Sequence, residues 1–166
     1  MSIKFLVMDV DGTLTDGMLH IGEKGEMFKS FSCKDGYGIH HILPELGIVP
    51  VIITGRNSIM LKKRCEEIAV TELYQGVWDK PAVLKEVLKG YSESDGVAYD
   101  CSNVAFIGDD LNDMALMRLV GEGGGLTACP ADAVPEIYDL AMFKASKDGG
   151  RGAVREFIDY IRDTRE

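Results

Sequence analysis

The chain alternates short apolar runs with segments of helical periodicity, and this pattern constrains its fold more than any other feature. Phe5 to Met8 is a continuous apolar run, as expected of a strand buried on both faces of a parallel sheet. From Ile39 to Leu46 apolar residues follow the i, i+3, i+4, i+7 spacing of a helix, which Gly47 ends. Further strand-like runs lie at 51–53, 72–74, 104–107, 124–128 and 140–143, and further helical segments at 61–69, 81–88, 110–120 and 154–161. Strands separated by helices predict an α/β fold with a doubly wound, Rossmann-like parallel sheet and helices on both faces.

One segment breaks this alternation. Met18 to Phe31 has a Gly-Glu-Lys-Gly centre at 22–25 with apolar residues on both sides. Such a segment predicts a β-hairpin that projects from the loop after the first strand. Its exposed apolar side chains would favour contacts between subunits.

Composition excludes several classes of protein. The chain has 166 residues, with 18 Lys and Arg against 27 Asp and Glu, so its net charge is −9. Proteins that bind nucleic acids usually carry clustered basic residues, and we therefore expect no nucleic-acid partner. The length fits one domain, 1–166, and no apolar run approaches the roughly 20 residues that cross a membrane. The N-terminus is too acidic for a signal peptide, and the four cysteines form no close pair, so we predict a cytoplasmic protein with reduced thiols.

Polar side chains collect where the predicted strands end. Asp9 and Asp11 follow the first strand of the sheet, Thr54 the second, Lys80 the third and Asp109 the fourth. Ligands of such folds bind beyond the carboxyl ends of the strands, so we expect these side chains to share one site.

The residue types in this predicted site suit phosphoryl transfer. Three converging carboxylates would repel one another unless a divalent cation lay between them, and hard oxygen ligands without His or Cys select Mg²⁺. A threonine hydroxyl and a lysine supply the donor and the positive charge that a transferring phosphoryl group needs. One carboxylate could then attack phosphorus and form an aspartyl-phosphate.

Several of these residues also have a purely structural explanation. Asp110 could cap the following helix, with Asp113 in the capping-box position, and Lys80 could be a solvated residue at a helix start. A calcium loop is excluded, because Leu14 stands where an EF-hand requires Gly and His20 where it requires Glu. The coincidence of four polar strand ends favours the chemical interpretation.

The motifs resemble those of the haloacid dehalogenase superfamily of phosphohydrolases. The matching segments are Asp-Val-Asp-Gly-Thr at 9–13, Ile-Thr-Gly-Arg at 53–56, Lys80, and Gly-Asp-Asp at 108–110 with Asp113. The resemblance implies that Asp9 is the nucleophile and that Asp11 is the general acid that protonates the leaving oxygen and then the base that activates water. Thr54 and Lys80 would hold the phosphoryl group.

The same resemblance implies a Mg²⁺ site. Asp9, the backbone carbonyl of Asp11 and Asp109 would be its ligands. Asp110 and Asp113 would lie behind the metal and support those ligands.

The spacing of the motifs leaves no room for a cap domain over the site. Thr54 follows Asp11 by 43 positions, which a hairpin, a helix and a strand already occupy, and Lys80 follows Thr54 by 26. The chain resembles the capless subfamily of 3-deoxy-D-manno-octulosonate 8-phosphate phosphatases and the related phosphatase-like domains of acylneuraminate cytidylyltransferases. In that family the hairpins assemble a tetramer and a neighbouring subunit helps to roof the active site, so the resemblance implies a homotetramer.

The resemblance further implies which residues would face the sugar acid. They are Ser32, Lys34, Asp35, Gly36, His40, Gly55, Arg56, Arg64 and Arg151. A sugar acid phosphate carries a carboxylate besides the phosphate, which gives spare arginines a use. The region of Arg151 would approach the site as a mobile tail, whereas Arg64 could instead be a solvated helix residue.

The chain departs from the subfamily at a few positions. His40 stands where the octulosonate enzymes tend to carry a long basic residue, and the long, acidic segment 89–103 predicts a surface excursion. We expect a Mg²⁺-dependent phosphomonoesterase acting on a phosphorylated sugar acid. Octulosonate 8-phosphate is the first choice, and a nonulosonate 9-phosphate is the alternative.

Two functions from other classes fit parts of the pattern. A receiver-type phosphoacceptor module also uses acids, Thr and Lys on a doubly wound sheet, but its phosphorylated Asp follows a later strand, after an adjacent acidic pair. Here Val10 separates the two acids of the first motif. A non-catalytic assembly domain is the other candidate, and the intact motifs argue against it.

Overall fold

The apolar run at the start of the chain forms the centre of a parallel sheet. The computed structural model describes residues 2–164. Numbered along the chain, the strands are β1 (Phe5–Met8), β2 (His20–Gly22), β3 (Gly25–Phe28), β4 (Val49–Ile53), β5 (Glu72–Tyr74), β6 (Val104–Ile107), β7 (Leu126–Cys129) and β8 (Phe143–Lys144). Six of them form one parallel sheet in the order β5-β4-β1-β6-β7-β8. Because β1 is paired on both sides, each of its four residues is buried, which explains why the run is apolar throughout.

Helices connect the strands of this sheet. They are α1 (Cys33–Tyr37), α2 (Leu43–Glu45), α3 (Ile59–Glu67), α4 (Lys80–Asp95), α5 (Met114–Glu122), α6 (Pro135–Tyr138) and α7 (Ala153–Asp163). A π-helical stretch, Gly38–Ile42, joins α1 to α2, so the helix predicted across 39–46 forms as an irregular one. Gly47 ends it with a φ of 66°.

The two faces of β1 supply two separate hydrophobic cores. Leu6 and Met8 pack with Phe157 of α7 on one face. Phe5 and Val7 pack on the other face with apolar residues of α4 and α5. Helices thus cover both faces of the sheet, which confirms the predicted doubly wound α/β fold. No helix within residues 2–164 is long and apolar enough to span a membrane.

The predicted hairpin forms from β2 and β3, which pair with each other in a separate two-stranded sheet. The apolar side chains of this segment lie largely exposed, and they are Met18, Leu19, Ile21, Met27 and Phe28. Among the described residues, the connections between strands hold this hairpin and the helices named above and no cap domain, as predicted.

One local prediction was wrong. The strand expected at 140–143 forms only at Phe143–Lys144, because the chain after α6 first turns through the preceding residues. The segment 89–103 lies at the surface as predicted and contains no fully buried residue, but it is attached to the core: α4 continues to Asp95, and the rings of Tyr91 and Tyr99 pack at 5.1 and 5.2 Å from the ring of Phe5. Aromatic contacts with the core therefore anchor it.

Candidate active site

A buried lysine joins two carboxylates at the carboxyl edge of the sheet. Lys80, the first residue of α4, donates hydrogen bonds of 2.7 Å to Oδ1 of Asp9 and to Oδ1 of Asp113. The side chain of Lys80 is 2% exposed. The pKa of Lys80 is raised: burial alone would lower it, but the charges of Asp9 and Asp113 outweigh that effect. Lys80 is therefore not a solvated helix start but an internal counter-charge.

Asp113 is fixed on both of its oxygens. While Oδ1 accepts from Lys80, Oδ2 accepts from the backbone N–H of Asp109 at 2.9 Å and from that of Asp110 at 3.4 Å. A Cβ at Gly108 would lie 2.4 Å from Oδ2 of Asp113, so only glycine permits this close approach. Asp113 thus holds the loop after β6 in place.

Asp110 does cap the turn that precedes α5. Its Oδ1 accepts from the N–H of Leu111 at 2.6 Å, and with Asp113 it forms a capping box. The structural explanation of Asp110 therefore holds, although the residue also lines the cleft described below.

The carboxylates here form a donor set for a hard cation. Carboxylate oxygens of Asp9, Asp109 and Asp113 all lie within 4.8 Å of one another, and the Thr13 hydroxyl donates to Oδ1 of Asp109 at 3.1 Å. Burial, followed by the charges of Asp9 and Asp113, raises the pKa of Asp109 to about 8. Burial, followed by the charge of Asp113, raises the pKa of Asp9 to about 6 despite Lys80. The negative charge of the three carboxylates exceeds the single positive charge of Lys80, so the site favours a bound cation. Because its donors are oxygen atoms, without His or Cys, the cation that fits them is Mg²⁺.

A cleft of about 400 Å³ opens above these residues, within the size range of small-molecule sites. Its lining consists of Asp9, Asp11, Gly17, Leu19, Thr54, Gly55, Arg56, Asp109, Asp110 and Asn112. The cleft thus brings together most of the residues predicted from the strand ends, with Lys80 bonded to Asp9 beneath it. Gly17, Leu19 and Asn112 were not predicted, and no pattern in the sequence distinguishes them.

Thr54 reaches the cleft because the backbone around it is held on both sides. Its N–H donates to the carbonyl of Tyr74 at 2.9 Å, and its carbonyl accepts from the N–H of Val77 at 3.0 Å. The side chain is buried. The end of β4 therefore presents Thr54 in one fixed orientation.

A second charged group lies between the hairpin and the cleft. Lys29, which follows β3, donates to Oδ1 of Asp11 at 2.5 Å and pairs with Glu26 at 2.8 Å. Arg56 lies 3.7 Å from Oδ2 of Asp11 and 3.8 Å from Glu26.

The charged residues of the site thus form two groups. We call Asp11, Glu26, Lys29 and Arg56 the outer cluster, and Asp9, Lys80, Asp109 and Asp113 the inner cluster. Glu26 and Lys29 were not predicted, since the hairpin pattern does not show which way its charged side chains point.

Ser32, Lys34 and Asp35 lie at the start of α1 and do not line the cleft. The Ser32 hydroxyl caps the helix and accepts from the N–H of Lys34 and of Asp35. The side chain of Asp35 is buried, and its Oδ1 accepts from the N–H of Arg155 in α7 at 2.8 Å. Burial raises the pKa of Asp35 to about 6. Asp35 thus ties α1 to α7.

Gly36, His40 and Arg64 share a second surface depression, separate from the cleft. Arg64 packs so closely over Gly36 that a Cβ there would lie 2.1 Å from a guanidinium nitrogen. Arg64 also pairs with Glu67 at 2.6 Å. Within a single chain, this surface is a different one from the cleft.

Arg151 lies in the loop between β8 and α7, and its side chain is 71% exposed. The loop packs against the backbone that follows β1: the N–H of Gly150 donates to the carbonyl of Thr13 at 3.0 Å. A Cβ at Gly149 would lie 1.9 Å from the carbonyl oxygen of Gly12. This contact places the region of Arg151 beside the loop that carries Asp9 and Asp11, and the chain continues into α7.

Comparisons with known proteins identify the family. No protein-family model matches the chain. The 3-deoxy-D-manno-octulosonate 8-phosphate phosphatase KdsC of Escherichia coli K12 is 39% identical over 160 residues, which span 96% of this chain and 79% of that protein.

Two solved structures share both fold and sequence with the chain. One is the Moraxella catarrhalis 3-deoxy-D-manno-octulosonate 8-phosphate phosphatase in complex with magnesium, phosphate and a KDO molecule, with a TM-score of 0.84 and 34% identity over 98% of this chain and 87% of that one. The other is a Legionella pneumophila structure assigned to subfamily III A of the HAD superfamily, with a TM-score of 0.86 and 36% identity over 98% and 83%. With a relative this similar over nearly its whole length, the chain belongs to the 3-deoxy-D-manno-octulosonate 8-phosphate phosphatase family of the haloacid dehalogenase superfamily.

Proposed function

We propose that this chain is a Mg²⁺-dependent phosphomonoesterase that hydrolyses 3-deoxy-D-manno-octulosonate 8-phosphate. The observation that carries the proposal is the inner cluster at the base of the cleft, where Lys80 is bonded to Asp9 and three carboxylates converge. The magnesium, phosphate and KDO bound to the Moraxella catarrhalis relative support the same chemistry.

In the first half of the reaction, Asp9 attacks phosphorus in line and the bond from phosphorus to the sugar oxygen breaks. Asp11 donates a proton to the departing oxygen. Thr54 and Lys80 hold the phosphoryl oxygens, and Lys80 also keeps one oxygen of Asp9 directed toward the cleft.

In the second half, Asp11 removes a proton from water, which attacks the phosphorus of the aspartyl-phosphate. The bond between phosphorus and Asp9 breaks, phosphate leaves and the Asp9 carboxylate is restored. Asp9, the Asp11 carbonyl and Asp109 would hold the Mg²⁺, with Asp110 and Asp113 supporting the loop that carries Asp109. When bound, Mg²⁺ neutralises these carboxylates and the phosphate, so that an anionic nucleophile can approach an anionic substrate.

The sugar acid would be recognised by positive charge at the mouth of the cleft. Gly55 and Arg56 line it, and the Arg56 side chain is 44% exposed. A nonulosonate 9-phosphate is the alternative substrate, because it carries the same two anionic groups on a longer chain.

The remaining proposed substrate residues would act on the cleft of a neighbouring subunit. Ser32, Lys34, Gly36, His40, Arg64 and Arg151 lie outside the cleft of their own protomer. Asp35, whose buried carboxylate accepts from the N–H of Arg155, would hold α1 in place for them rather than touch the substrate itself. The exposed apolar face of the hairpin offers a surface on which copies could associate, which supports a homotetramer. Light scattering tests this part of the proposal, and a monomer at assay concentrations would contradict it.

The proposal includes a cytoplasmic protein of one domain, 1–166, without a nucleic-acid partner. All four cysteines are free, which suits a reducing compartment. The net charge of −9 disfavours a polyanion.

Steady-state kinetics on a panel of sugar acid phosphates tests the function. We expect phosphate release from octulosonate 8-phosphate with a higher kcat/KM than from a nonulosonate 9-phosphate. A chelator should abolish the activity, and so should Asp9→Asn. Equal rates with and without Mg²⁺, or full activity in Asp9→Asn, would contradict the proposal.

A further inference from the structure

The carboxylate of Asp11 is held by the hairpin rather than by its own loop. Within residues 2–164 its partners are Lys29, at 2.5 Å from Oδ1, and Arg56, at 3.7 Å from Oδ2. The Asp11 side chain is 21% exposed. Without these cations it would be free to rotate toward solvent, because a carboxylate that already reaches the surface gains hydration by doing so.

Lys29 is committed to this contact by burial and by a second anion. Its side chain is 3% exposed, so its ammonium group cannot be satisfied by water and depends on Asp11 and Glu26. Glu26 is itself 10% exposed and lies three residues before Lys29, on β3. The hairpin backbone therefore fixes Glu26, Glu26 fixes Lys29, and Lys29 fixes Asp11.

Among the proposed catalytic groups of residues 2–164, Lys29 contacts Asp11 alone. It is absent from the cleft lining formed by the described residues, whereas Asp11 and Arg56 are part of it. Any effect of Lys29 on catalysis must therefore pass through Asp11.

We propose that Lys29, supported by Glu26, is a positioning residue that holds the Asp11 carboxyl where it can exchange a proton with the leaving oxygen. The inference rests on the proposed phosphatase function and adds a catalytic task for the hairpin beyond subunit contact. General acid catalysis is worth about 10²–10⁴-fold, and its effectiveness depends on the placement of the proton donor.

The test compares two leaving groups in the full-length protein. An alkyl phosphate needs a proton on its departing oxygen, whereas p-nitrophenyl phosphate leaves as a stable anion and needs little help. In Lys29→Met, kcat/KM for the alkyl phosphate should fall by about 10-fold or more, and kcat/KM for the aryl phosphate by less than about 3-fold. Lys29→Arg should restore most of the loss. The matched control is Lys24→Met, which removes an exposed lysine of the same hairpin.

A double-mutant cycle separates positioning from general damage to the hairpin. In an Asp11→Asn background the same Lys29→Met change should cause no further loss specific to the alkyl phosphate. Three results would each overturn the inference. They are equal losses of kcat/KM on both substrates, no loss on either substrate, and a full additional loss of kcat/KM in the Asp11→Asn background. If Lys29→Met fails to fold, Glu26→Gln takes its place with the same expected selectivity. A wild-type protein that hydrolyses neither phosphate would refute the proposed function itself, and the inference with it.

Discussion

The inner and outer clusters each contain a lysine between two carboxylates, yet the fold constructs them differently. Lys80 contacts Asp9, 71 positions away at the end of β1, and Asp113, 33 positions away in the turn between β6 and α5. Lys29 contacts Asp11 and Glu26, only 18 and 3 positions away, through a hairpin whose strands pair with each other. Asp9, the proposed nucleophile, is thus held by the core, and Asp11, the proposed proton-transfer group, by an accessory element.

This difference suits the tasks proposed for the two residues. A nucleophile that attacks in line needs one fixed position, which buried strand ends provide. The acid and base has to receive, donate and recover a proton in each turnover, and an outer position beside solvent allows that exchange.

Removing the inner lysine should damage both stability and catalysis. Lys80→Met leaves buried carboxylates without their counter-charge, so we expect a loss of about 3–5 kcal/mol in the free energy of unfolding. The loss of a donor to the phosphoryl group should lower kcat at least about 10²-fold. Urea unfolding and steady-state assays measure the two effects, with Lys85→Met, an exposed lysine of the same helix, as the control. A Lys80→Met protein as stable as the wild type would show that the inner cluster is not the anchor described here.

Stability should depend on pH and Mg²⁺ together. The pKa values of Asp109 and Asp9, about 8 and about 6, lie above their ordinary values, so the folded chain binds more protons than the unfolded chain between about pH 4 and pH 8. Without metal, the stability contributed by these groups is therefore greatest at low pH and falls as the pH rises through that window. Mg²⁺ binds the ionised form and should add about 2.7 kcal/mol at 100 times its Kd, with a larger shift near pH 8 than near pH 5.5.

Thermal unfolding with and without Mg²⁺ at these two pH values provides the measurement. The control variant Asp109→Asn should lose most of the Mg²⁺ shift and part of the pH dependence. A Mg²⁺ shift of the same size at both pH values would contradict the assignment of the ion to these carboxylates.

Removing the outer lysine should cost much less stability. Lys29→Met leaves Asp11, whose side chain is 21% exposed and can be hydrated, whereas Lys80→Met leaves carboxylates that are 5% and 0% exposed. We therefore expect a loss of about 1–2 kcal/mol, below that of Lys80→Met. The same urea titration compares the two variants directly. A loss equal to that of Lys80→Met would mean that the hairpin is an integral part of the folding core, and the contrast between the clusters would disappear.

The smallest effect is expected away from both clusters. Asp35→Asn keeps an acceptor for the N–H of Arg155 and should change kcat/KM for the sugar acid phosphate by no more than about twofold. A large rise in KM, relative to an Arg56→Ala control, would show instead that Asp35 contacts substrate, as the family resemblance implies.

The sequence could predict the inner cluster because the sheet itself brings strand ends together. An apolar run precedes each of four residues, Asp9, Thr54, Lys80 and Asp109. Because neighbouring strands of a parallel sheet end at the same edge, these residues come close together. The part of Glu26 and Lys29 in the outer cluster could not be predicted, since the direction of the Lys29 side chain depends on the twist of the hairpin and on a bulge between His20 and Ile21.

Other misses have an equally physical origin. The partner of Asp35 lies 120 positions away in α7, so no local pattern reveals that this carboxylate is buried. The strand β8 is two residues long and follows a turn, where apolar periodicity carries little information.

Trapping the covalent intermediate tests the division between the clusters most directly. Wild-type protein, Asp9→Asn and Asp11→Asn are mixed with Mg²⁺ and p-nitrophenyl phosphate, which needs no proton on its leaving group, and are quenched in acid before peptide mapping by mass spectrometry. We expect phosphate on the peptide that contains Asp9, more of it in Asp11→Asn because the activation of water is lost, and none in Asp9→Asn. Phosphate on a peptide without Asp9, or no accumulation in Asp11→Asn, would contradict the roles assigned to the two clusters.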